Sequence, residues 1–83
     1  MLRITRITRD ELPLLKLEGQ LREPWVDELV GALDASQVAR LDLASVTYID
    51  AAGVTLLRDR MARGFEIVAS SPFVAALLQL EKA

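Results

Sequence analysis

The stretch from Leu41 to Val54 constrains the fold of this chain most, because it joins a strand pattern directly to a helix pattern. Leu41 and Leu43 alternate with Asp42, which is the two-residue period of a strand. After a short connection, Asp50 is the residue type that caps the N-terminus of a helix. A strand followed closely by a helix predicts an α/β unit.

The rest of the chain continues this alternation, which predicts one α/β domain over residues 1–83. Two neighbouring strands with a short link predict an antiparallel hairpin, and each later strand–helix–strand unit predicts a parallel pair. We therefore expect a four-stranded mixed sheet in the order β-β-α-β-α-β-α, with the helices packed on one face. The expected strands span residues 2–7, 14–18, 38–43 and 65–69. The expected helices start near residues 23, 50 and 71. The second helix is expected to end near residue 62 and the third near residue 81.

Composition excludes several classes of protein. With 52% hydrophobic residues the chain can build a core, so it is not a disordered segment. A formal net charge of −2 argues against general nucleic-acid binding, which needs a basic surface. The lack of cysteine and histidine argues against a zinc site, and no apolar run reaches the ~20 residues of a membrane span. We expect a cytoplasmic domain without metal, nucleic acid or membrane insertion.

The same composition argues against an enzyme. Without histidine or cysteine the common nucleophilic triads are missing, and neither Gly19 nor Gly53 belongs to a glycine-rich phosphate loop. Asp42 and Asp50 could in principle act together as acid and base, but each suits an ordinary structural position. We expect a non-enzymatic protein that uses no cofactor.

The turn that starts the second helix resembles the signature of the STAS family, which contains the anti-anti-sigma factors. In that family a strand is followed by an apolar–Asp–Ser–(Ser/Thr)–Gly–Leu turn, and the serine after the aspartate accepts a phosphate. The matching residues here are Asp50, Ala51, Ala52 and Gly53, so Ala51 stands where the family carries its phosphoacceptor. The resemblance extends along the whole chain and implies a C-terminally short version of the family domain.

The resemblance implies a protein-binding regulatory domain similar to an anti-sigma factor antagonist, with an anti-sigma factor or a kinase-like protein as its partner. Because Ala51 has no hydroxyl, the binding surface is expected to stay in its unphosphorylated form. STAS-like domains with a degraded phosphosite also serve as accessory subunits on the ATPase of ABC-type lipid transporters, or as scaffold pieces of signalling assemblies, and this alternative stays open. The residues expected to contact the partner are Asp50, Ala51, Ala52, Gly53, Val54 and Thr55.

Two residues of this segment have interpretations that the sequence leaves open. Gly53 allows the helix to approach either a partner or the sheet closely, since it has no Cβ. Thr55 lies about one turn inside the helix and is a candidate substitute phosphoacceptor, although a solvated helical threonine is the simpler interpretation.

The last predicted helix is apolar on nearly every side, unlike an ordinary surface helix. One of its sides is therefore expected to remain exposed, and exposed apolar patches usually mark interfaces. We expect self-association as a homodimer, or docking of a partner, through three residues of this helix. They are Phe73, Leu77 and Leu80.

Overall fold

A computed structural model describes residues 1–79 and shows a small α/β fold. Within those residues the seven predicted elements occur in the predicted order, and the sheet is four-stranded and mixed, which confirms the fold class. None of the helices there is long and apolar enough to cross a membrane. The strands are β1 (Leu2–Arg9), β2 (Leu12–Leu21), β3 (Arg40–Ile49) and β4 (Glu66–Ser70), and the helices are α1 (Trp25–Ser36), α2 (Ala51–Ala62) and α3 (Pro72–Leu78).

The sheet has the order β1-β2-β3-β4, with β1 antiparallel to β2 and the two later pairs parallel. Asp10 and Glu11 form the hairpin turn with positive φ angles of 57° and 66°, which match a tight turn to the twist of its strands. Both crossovers then move in the same direction along the sheet. Right-handed crossovers of this kind place their helices on one face.

β3 is longer than the sequence predicted, and β-bulges are the reason. Its alternation breaks after Leu43, where the next apolar residues, Val46 and Ile49, come at intervals of three. The register between β2 and β3 shifts at two places, and each shift admits one extra residue on β3. Because of the bulges, the side chains of Val46 and Ile49 point into the core. The segment before Asp50 that the sequence predicted as a connection is therefore part of β3, which extends to Ile49.

β2 also runs past its predicted limits, Leu14 and Glu18. Pro13 is tolerated in the strand because the ladder to β3 begins only after it, so no hydrogen bond is lost on that side. Gly19 does not end the strand. With a φ of 102° it stays within β2, and a Cβ at this position would collide with the carbonyl oxygen of Met1.

The predicted start of the last helix at Ser71 is confirmed. The hydroxyl of Ser71 accepts a hydrogen bond of 3.3 Å from the N–H of Val74, as expected of a helix start that precedes a proline. α3 ends at Leu78, where Gln79 adopts a left-handed φ of 57°. The helix is therefore shorter than the sequence predicted, and the predicted end at Glu81 lies outside the described residues.

The core lies between the sheet and the three helices of residues 1–79. On α1, the apolar residues Val26, Leu29 and Leu33 recur at helical spacing and are buried, while Val30 on the same stripe is half-buried. Each helix contributes to one continuous cluster, which explains how so small a chain can hold three helices on one sheet. The helix side chains in this cluster are Val26, Leu29, Leu33, Leu57, Val74 and Leu78.

The opposite face of the sheet is lined by strand side chains. Leu14 is fully buried there, while its neighbour Leu15 belongs to the helix-side core, since successive strand residues point to opposite faces. Asp42 is buried on the same outer face and accepts a charged hydrogen bond of 2.9 Å from Arg9, which lies two strands away on β1. The N–H of Ala44 donates to the other carboxylate oxygen at 2.9 Å.

Burial opposes the charge of the Asp42 carboxylate and by itself would raise its pKa. The hydrogen bond from Ala44, followed by the bond and the positive charge of Arg9, outweighs burial. The pKa of Asp42 therefore lies below its ordinary value of 3.8. The outer face consequently holds a buried carboxylate that is ionised at neutral pH.

Candidate functional site

Asp50 joins two loops at the end of the sheet where α2 begins. One carboxylate oxygen accepts a hydrogen bond of 2.8 Å from the N–H of Gly53, which confirms the predicted N-cap of α2. The other oxygen accepts a bond of 3.1 Å from the N–H of Glu23, in the loop before α1. The N–H of Asp50 itself donates to the carbonyl of Leu21 at 3.1 Å. Asp50 therefore fixes the start of α2 to the β2–α1 loop.

The same contacts decide the charge state of Asp50. The hydrogen bond from Gly53, and then the one from Glu23, lower the pKa of this carboxyl below its ordinary value of 3.8. Arg22 adds a smaller effect in the same direction. The carboxylate is therefore ionised at neutral pH, and both of its oxygens already accept bonds from backbone amides. This arrangement suits a structural cap.

Gly53 faces the interior and not the surface. It is buried, and a Cβ built on it would lie 2.8 Å from both the carbonyl oxygen of Leu21 and Cγ2 of Ile49. The close approach that glycine permits is thus between α2 and the sheet. The sequence left open whether Gly53 approaches a partner or the sheet. In the structure it packs against the sheet and is not exposed to a partner.

The other predicted contact residues divide between two sides of α2. Ala52 and Val54 are half-buried and pack on the core, so they support the helix from below. Ala51 and Thr55 are exposed. Their spacing of four places them on one outward stripe, which continues along the helix to residue 62. We call the exposed residues Ala51, Thr55, Arg58 and Ala62 the α2 stripe.

Tyr48 is a large exposed residue near the start of α2 that sequence reasoning missed. It is 44% exposed although it lies in a strand, two residues before the α2 cap. Because Ile49 faces the helix-side core, the alternation of strand residues places Tyr48 on the opposite face of the sheet. Tyr48 pairs with Gln20, whose N–H donates to the carbonyl of Met1, just before β1, at 2.9 Å. The only available signal was an aromatic residue that follows Thr47 near the end of a strand-like run.

The basic residues of α2 are mostly paired. Arg60 is largely buried, donates to Asp34 at 3.3 Å and lies over the ring of Phe65 at 5.6 Å from its centre. Arg63 pairs with Asp59 at 3.2 Å, one helical turn away. Arg60 and Arg63 are therefore held in local pairs, while Arg58 is exposed and adds one positive charge to the otherwise small side chains of the α2 stripe.

Within residues 1–79 no pocket is found, and no group of three or more acidic or metal-binding side chains is placed to hold an ion.

Comparison with known proteins adds no relative to this picture. No protein-family model matches the chain, and no curated protein matches it either. The interpretation of the site therefore rests on its geometry and on the sequence pattern.

Asp50→Ala is expected to lower the melting temperature more than Ser71→Ala, the matching cap substitution on α3. Asp50 accepts two backbone hydrogen bonds that join two elements, whereas the Ser71 hydroxyl accepts one weaker bond within a single turn. Asp50→Asn should fall between the original chain and Asp50→Ala, because its one side-chain oxygen can keep the cap bond from Gly53 while its NH2 group cannot accept the bond from Glu23. Thermal unfolding followed by circular dichroism measures all three. Equal melting temperatures for Asp50→Ala and Ser71→Ala would contradict the bridging role.

Proposed function

We propose that this chain is a non-enzymatic regulatory domain that binds another protein through the α2 stripe, in the manner of an anti-sigma factor antagonist. The observation that carries the proposal is a rigid helix start with exposed small side chains. Asp50 fixes that start to two loops, so Ala51 and Thr55 are presented on a backbone that needs little ordering when a partner binds.

The chemistry of the surface supports docking. Ala51 and Thr55 are small and exposed, so a partner can approach the backbone of α2 closely. A bulky anchor from the partner can therefore rest on Ala51 and Thr55 without displacing a long side chain.

The absence of a hydroxyl at Ala51 supports the second part of the proposal, that this surface is not switched by phosphorylation at the family position. A phosphate there would add about −1.5 to −2 charges directly beside the Asp50 carboxylate. Alanine prevents that change, so the surface stays in one electrostatic state. Thr55 carries an exposed hydroxyl on the same stripe and is the remaining candidate phosphoacceptor there.

The same substitution supports an alternative of a different kind. A STAS-like accessory subunit on the ATPase of an ABC-type lipid transporter, or a scaffold piece of a signalling assembly, needs a permanent docking surface and no phosphoacceptor. Both alternatives use the α2 stripe and differ in the identity of the partner: a regulator of transcription or a transporter ATPase. Either partner implies a cytoplasmic location, which the lack of cysteine also fits.

Thr55→Arg is expected to reduce recovery of the partner at least ~10-fold in affinity capture from a native bacterial lysate, because a long charged side chain at the centre of the stripe blocks close approach. Ala35→Arg is the matched control, since Ala35 is exposed on α1 and lies outside the stripe. The protein that is lost with Thr55→Arg and kept with Ala35→Arg is the partner, and mass spectrometry identifies its class. Equal recovery with both variants would refute docking through the stripe.

A further inference from the structure

Within residues 1–79, β4 forms an edge of the sheet with no strand on its outer side. The sheet order places β1 and β4 at the two edges, and within residues 1–79 β4 pairs only with β3. Edge strands are normally protected by charged residues or proline. β1 carries arginine at every third position, whereas β4, with the sequence EIVAS, has neither a basic residue nor proline. Only Glu66 at its start is charged.

We propose that two copies of this chain associate by pairing their β4 strands antiparallel, which extends the sheet across a two-fold axis. A symmetric dimer must place the same surface on both copies, and a two-fold axis normal to the sheet sets β4 antiparallel to itself. Centred on Val68, this pairing uses all five residues of the strand. Glu66 then lies opposite Ser70, and Ile67 lies opposite Ala69.

This register is the one that charge and length favour. Shifting the centre away from Val68 leaves strand residues unpaired, and a centre at Glu66 would set two carboxylates opposite each other, which is unfavourable. The other edge is a poor candidate for the same pairing. Two β1 edges would bring the arginines of both copies together, namely Arg3, Arg6 and Arg9 of each.

The helix that follows β4 carries exposed apolar side chains on the helix face of the sheet. Phe73 is 46% exposed and Leu77, one turn later, is half-buried, while Val74 and Leu78 face the core. A two-fold axis normal to the sheet keeps both copies of α3 on the same face. Of the self-association residues that the sequence predicted, Phe73 and Leu77 are thus available on this helix, and Leu80 lies outside the described residues.

The size of the edge sets the expected strength. Five strand residues give a seam only about 16 Å long. The area that each copy buries is therefore well below the about 800 Å² per partner of a standard interface. We therefore expect a weak dimer, with a dissociation constant on the order of 10–500 μM. This interface is separate from the α2 stripe, so its failure would leave the proposed docking function untouched.

Cysteine cross-linking tests the register directly, because the chain contains no cysteine. Directly opposite strand residues have Cβ atoms about 4.5–5.5 Å apart, close to disulfide reach. Val68→Cys should therefore form a disulfide dimer on mild oxidation at about 200 μM. Glu66→Cys is the matched control, because its two thiols would lie about 13 Å apart along the seam. Glu66→Cys mixed with Ser70→Cys should cross-link as a heterodimer.

The unmodified chain provides an independent measurement. Its mass by sedimentation equilibrium should rise from 9.2 kDa toward twice that value as concentration increases. Val68→Lys should keep it monomeric, and Thr8→Lys, which adds the same charge to the β1 edge, should not. A monomer at about 1 mM, a dimer that persists with Val68→Lys, or cross-linking of Glu66→Cys as fast as Val68→Cys would each overturn the proposal.

Discussion

Gly53→Val is expected to lower the free energy of unfolding by about 3 kcal/mol, the upper end of what overpacking a well-packed site costs. Even the first added carbon would lie 2.8 Å from the backbone carbonyl of Leu21 and from Cγ2 of Ile49. A carbonyl in a strand cannot move aside as a flexible side chain can. The start of α2 must therefore shift away from the sheet, or the strand ends must separate.

Gly31→Ala is the matched control for this substitution. Gly31 lies within α1 and is exposed, and a Cβ there would meet nothing within 4 Å. Since alanine favours helix over glycine by about 1 kcal/mol, this variant should be as stable as the original chain or more so. Chemical unfolding in urea measures both. Gly53→Val with unchanged stability would show that α2 does not lie as close to the sheet as described.

Arg9→Met is expected to lower the free energy of unfolding by about 1–2 kcal/mol at neutral pH. The substitution leaves the Asp42 carboxylate, which is only 5% exposed, with one hydrogen bond from the N–H of Ala44. The Arg9 side chain is 43% exposed, so solvent screening keeps the loss below that of a fully buried pair. Arg6→Met, a neighbouring exposed arginine on β1, should change stability by less than about 0.5 kcal/mol.

The pH dependence of the Arg9→Met effect provides a second readout. The pKa of Asp42 is lower in the folded chain than its ordinary 3.8, so its stabilising contribution is complete above that value and is lost as pH falls through the folded-state pKa. The difference between Arg9→Met and the original chain should therefore be constant near neutral pH and shrink below about pH 4. A difference that stays the same at pH 2.5 would show that Arg9 acts through packing alone.

Helix starts were the easiest features to predict from the sequence. Asp50, and proline after Ser71, are local signals, and the structure places the caps of α2 and α3 there. The alternation of Leu41 and Leu43 similarly identified β3. These signals are carried by neighbouring residues, so they do not depend on how the chain folds elsewhere.

The errors arose where one strand's conformation depends on another. The three-residue spacing of Val46 and Ile49 is not a strand period on its own, and it becomes one only when β2 pairs with β3 through bulges. The same holds at the site. Whether Gly53 faces a partner or the sheet depends on the carbonyl of Leu21, which is distant in sequence, and the exposure of Tyr48 depends on its pairing with Gln20.

The proposed function depends on the α2 stripe being the surface that a partner covers. The most direct measurement is a titration of the ¹⁵N-labelled chain with the captured partner, followed by amide chemical shifts. We expect the largest changes at Ala51, Thr55 and Arg58, with little change in β1 and β4. Changes confined to β1, β4 or the outer face of the sheet, with α2 unaffected, would contradict the proposed docking site.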